Sequence, residues 1–62
     1  MMLKFDDTVA LIYSTERSIR DAEAYENNHE QKEYAEHLKN LLKLYIKEHR
    51  QAAEREGKYA IR

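Results

Sequence analysis

The chain has 62 residues, no cysteine, no proline, one glycine and a formal net charge of −1. That length holds one domain at most, and without thiols there are neither disulfide staples nor thiolate zinc sites. The near-neutral balance excludes a wholesale polyanion mimic or basic coat, and abundant Ala, Leu, Glu, Lys and Arg favour long helices.

The N-terminal residues Met1-Met2-Leu3-Lys4-Phe5 run directly into Asp6-Asp7, unlike a secretory leader. No apolar run reaches the ~18 residues that suggest a membrane span. A cytoplasmic protein without membrane contact is the expectation.

Asp6 and Asp7 can cap a helix and suit the positive end of its dipole, so a first helix is expected over about residues 7–25. Its apolar positions follow a heptad seam. Phe5, Ile12 and Ile19 fall on one set, and Thr8, Thr15 and Ala22 on the other. Large residues alternate with small ones, so a second helix can approach closely. Glu26 closes the series, while Val9, Leu11 and Tyr13 flank it.

Asn27-Asn28 interrupts the pattern. Asparagine is a poor helix former, a good N-cap and tolerant of left-handed geometry. Gln31 three residues after Asn28 resembles the second half of a capping box. A short turn is expected at about residues 26–28. One continuous helix is the alternative, since neither proline nor glycine stands there.

The second helix is expected over about residues 29–56. Tyr34, Leu38, Leu41, Leu42, Tyr45, His49, Ala52 and Ala53 share one face at 3.6-residue spacing, with Leu44 and Ile46 widening it on either side. So broad a stripe suits a helix with two neighbours. Gly57 is placed to end the helix in the left-handed conformation, leaving residues 57–62 as a short tail. That tail is ordered only if Tyr59 and Ile61 find a groove.

The predicted fold is therefore all-α: a two-helix antiparallel hairpin forming a single domain over residues 1–62. The two helices would be roughly 28 and 42 Å long, so the second overhangs the first. Charge supports antiparallel docking. Residues 1–27 carry three basic and six acidic side chains, whereas residues 28–62 carry eight basic and six acidic. A chain this small buries too little surface alone, so assembly as a homodimeric bundle is expected. Its interface is assigned to Ile12, Ile19, Leu38, Leu41, Leu42 and Tyr45.

The expected function is that of a small non-enzymatic interaction module: an adaptor, inhibitor or regulator that binds another protein through helical surface. Tyr25, Leu44 and Tyr59 are the candidate partner-binding residues, being apolar and off the seams. Neither a glycine-rich phosphate loop nor a cysteine nucleophile is present, and a two-helix unit has no deep pocket, so no enzyme and no cofactor are expected.

Two alternatives remain open. Lys39, Lys43, Lys47 and Arg50 form a basic stripe able to track a phosphate backbone, although Glu36 and Glu54 close its ends. The rival reading is a solvated lysine face. Carboxylate and histidine side chains offer a metal site: Glu33 and His37 stand four apart, Glu26 and His29 three apart, and Glu16 and Glu23 border the first seam. Against this, Glu16 and Glu23 can simply pair with Lys or Arg of a neighbour. His49, on the apolar face, reads as a core or interface histidine bonded to a tyrosine or carboxylate. The sharper reading is a joint that weakens between about pH 5 and 7.

Overall fold

The computed structural model describes residues 2–24 and 29–61. Two helices form in chain order, α1 (Phe5–Glu23) and α2 (His29–Glu56), with no strand among the described residues. They pack antiparallel along a rod whose Cα envelope is 44 × 16 × 14 Å. The turn expected at 26–28, with Asn27, Asn28, Glu26 and Tyr25, lies outside the described residues.

The α1 seam forms as its spacing requires. Thr8, Ile12, Thr15, Ile19 and Ala22 are all buried, at intervals of three and four residues. Opposite them α2 buries Ala35, Leu38, Glu48, His49, Ala52 and Ala53. Small residues on both sides let the backbones approach, with Ile12, Ile19 and Leu38 supplying the larger buried aliphatic groups. Burying such a side chain stabilises by about 1.5–3 kcal/mol, so this core is thin.

The first helix begins and ends two residues before the expected bounds. Its N-cap is Lys4, in extended geometry and without a side-chain capping bond. The first orphan N–H, that of Phe5, donates instead to Glu56 Oε2 at 2.7 Å, a carboxylate from the far end of α2. Asp6 and Asp7 therefore lie inside the first turn, where their charge favours the dipole.

Gly57 takes φ +66° and ends α2 as expected. Lys58 N–H donates to Ala53 O at 2.8 Å and Gly57 N–H to Glu54 O at 3.4 Å. This pair of bonds is a Schellman motif, and it turns the tail back along α2.

Candidate functional site

Two features of the surface and core bear on function: a polar cluster at the end where the tail meets α1, and the uncovered flank of α2.

The cluster centres on His49, which is fully buried. Ile61 N–H donates to its Nε2 at 2.9 Å. A backbone amide can only donate, so Nε2 carries no proton and the neutral ring holds its hydrogen on Nδ1. Nδ1 lies 3.0 Å from Thr8 Oγ1 and donates to it. Thr8 Oγ1 in turn donates to Phe5 O at 2.6 Å. One directed chain of hydrogen bonds thus joins tail, α2 and α1. The Phe5 ring sits on the imidazole with centroids 4.7 Å apart. Lys58 Nζ lies over the other side of the cluster, 4.9 Å from the Phe5 centroid, with Asp6 and Glu56 carboxylates at 3.9 and 3.8 Å. Arg55 Nη2 donates to Leu3 O at 2.6 Å and secures the segment that enters α1. His49 is a core histidine, as its position in the apolar stripe suggests. Its partners are a threonine hydroxyl and a backbone amide, where a tyrosine or carboxylate was expected.

The tail is held by its backbone. Tyr59 is 96% exposed and Ile61 48% exposed, so neither side chain fills a groove. Of the candidate partner-binding residues, Leu44 and Tyr59 are exposed and lie on different parts of the molecule, while Tyr25 is outside the described residues.

Of the residues assigned to an oligomer interface, Ile12, Ile19 and Leu38 are buried inside the hairpin itself. Leu41, Leu42 and Tyr45 are only half-buried, because α1 covers one side of the broad α2 stripe. Tyr34, on the same stripe, remains 49% exposed.

Glu48 was not singled out by the sequence. It is 9% exposed, and its Oε2 is buried without a hydrogen-bond partner among the described residues. A carboxylate oxygen in that condition is costly, by about 1–3 kcal/mol or more for a charged group. No sequence signal marks it, because an acid between Lys47 and His49 reads as part of a solvated face.

The basic stripe is partly engaged. Lys39 is half-buried and lies 3.3 Å from Glu23 Oε2, while Lys43, Lys47 and Arg50 are exposed. Of the carboxylate–histidine candidates, Glu33 Oε1 lies 3.0 Å from His29 Nε2, one turn away, and Glu23 Oε2 lies 3.3 Å from Lys39 Nζ. Among the described residues no group of three or more His, Asp or Glu side chains converges to hold a metal ion. Two open depressions lie between the helices, one lined by Glu23, Lys32, Ala35, Glu36 and Lys39 and the other by Glu16, Ile19, Arg20, Glu23, Lys39 and Leu42. None of the described helices is long and apolar enough to cross a membrane.

Comparison with protein-family models, curated proteins and solved structures finds no match to this chain.

Proposed function

We propose that the protein is a small non-enzymatic interaction module of the cytoplasm that works as a homodimeric helical bundle and presents helical surface to a protein partner. The observation carrying this reading is the uncovered flank of α2. After the hairpin closes, Tyr34 and Leu44 remain 49% and 44% exposed, with Leu41, Leu42 and Tyr45 half-buried beside them. An apolar strip of that kind on so small a molecule is what an association surface requires. The open character of the depressions supports surface recognition over catalysis. Leu44 and Tyr59, with Tyr25, are the residues assigned to partner contact.

Solution mass by light scattering across a dilution series tests the homodimer. A concentration-dependent mass of two chains is expected, and a single chain at every concentration would overturn it. Capture with tagged protein, comparing native chain with Tyr59→Ala, tests the partner surface. The nucleic-acid alternative rests on exposed Lys43, Lys47 and Arg50. It predicts binding that falls steeply with salt and disappears when Lys39, Lys43 and Lys47 become glutamine.

A further inference from the structure

The uncovered flank of α2 has a regular order. Glu30, Tyr34, His37, Leu41, Leu44, Glu48, Gln51 and Arg55 follow one another at steps of four and three residues throughout. That spacing puts them on one stripe of the helix, with Tyr34, Leu41 and Leu44 as its apolar centre and charged or polar residues at its two ends. At 100° per residue the seam lies about a quarter-turn around α2 from the face that packs on α1, the angle at which a bundle's corner helix meets a second neighbour. Every position on it except Leu41 and Glu48 is exposed, and Leu41 is half-buried. Glu48 is covered by its own chain and is 9% exposed.

We propose that this seam is where a second copy of the chain docks, antiparallel, with Leu41 opposite Leu44 of the second copy. The inference rests on the homodimer reading above and adds its register. The choice follows from complementarity, because this register pairs every seam position with a chemically suitable one. At the centre, the two-fold axis generates two Leu41–Leu44 layers, an apolar core for the contact. The next layer outward sets His37 against Glu48, an imidazole beside a carboxylate. The third layer sets the Tyr34 hydroxyl against the Gln51 amide. The outermost layer sets Glu30 against Arg55, which keeps further N–H donors beyond the one bound to Leu3 O. An isologous two-fold contact must be self-complementary in this way, since each layer occurs twice. A neighbouring register that sets Leu41 against itself faces Glu48 with Tyr34 and leaves Glu30 and Arg55 in different layers.

Disulfide trapping reads the register directly, because the described chain has no thiol of its own. Tyr34→Cys and Gln51→Cys both alter exposed positions. An equimolar mixture, oxidised under mild conditions, is expected to give a mixed cross-linked dimer as the main product. Either variant alone is expected to give little, since like positions would stand about 25 Å apart along the seam and a disulfide needs Cα atoms within about 7 Å. Equal cross-linking of each variant with itself would overturn the register. A native chain of dimer mass whose mixture does not cross-link would overturn it too, while leaving self-association standing. A native chain that stays single at all concentrations would remove both readings.

A charge exchange provides the independent check. Glu30→Arg alone and Arg55→Glu alone each place like charges together at both ends of the seam. Mixing the two variants restores both opposite-charge pairs. The mixed dimer is expected to form severalfold more tightly than either variant dimer. No preference for the mixture in variants of native helicity would overturn the arrangement.

Discussion

The two ends of the hairpin are fastened by different means. At the end joined by the chain, the Glu23–Lys39 pair links the helices beside the small buried residues Ala22 and Ala35. At the opposite end, where no chain segment links α1 to α2, long-range polar bonds gather: Phe5 to Glu56, Thr8 to His49, Ile61 to His49 and Arg55 to Leu3. Connectivity already limits how far the joined end can open. The unjoined end has no such limit, and its hydrogen bonds take over the task of holding register. A thin core can suffice when directional bonds are placed where the chain gives no help.

Breaking the unjoined end is expected to have the largest effect. His49→Ala deletes a buried ring, its contact with Phe5 and two hydrogen bonds, and should lower stability by about 3 kcal/mol in denaturant unfolding. Fast amide exchange at Ile61 should accompany it. Thr8→Val keeps the shape but leaves Nδ1–H without its acceptor, so a loss of about 2 kcal/mol is expected. Both measurements belong at one protein concentration, because self-association adds to apparent stability.

Smaller effects lie at the helix stop and the joined end. At Gly57 an added Cβ would meet nothing within 4 Å, so Gly57→Ala is opposed only by the φ of +66°. About 1 kcal/mol is expected in thermal unfolding. Glu23→Gln, at a pair whose side chains are about half exposed, should shift stability by less than about 1 kcal/mol and less in high salt. An effect of Glu23→Gln as large as that of Thr8→Val would abolish the contrast between the ends.

The readable part of this fold is the part governed by local periodicity. Thr8, Ile12, Thr15, Ile19 and Ala22 announce their common face by spacing alone, and Gly57 announces the stop of α2. What the sequence concealed depends on partners far along the chain. The start of α1 at Phe5 is set by Glu56, 51 residues away, which no capping pattern near Asp6 can reveal. Ala35 is buried because α1 passes on its side of α2, whereas Tyr34 next to it stays exposed. Glu48 was invisible for a similar reason: its enclosure is a tertiary fact, and its neighbours in sequence are polar. The breadth of the α2 stripe was legible, and its surplus over what one helix can cover became the seam on which the interaction reading rests.

The direction of the bonds around His49 fixes which ring nitrogen keeps its hydrogen. That makes the side chain a native spectroscopic gauge. A nitrogen-15 spectrum of the imidazole would distinguish the enclosed tautomer from the averaged signal of a solvated ring, and so report whether the two ends of the polypeptide are fastened together under any condition of interest, with no dye or label attached.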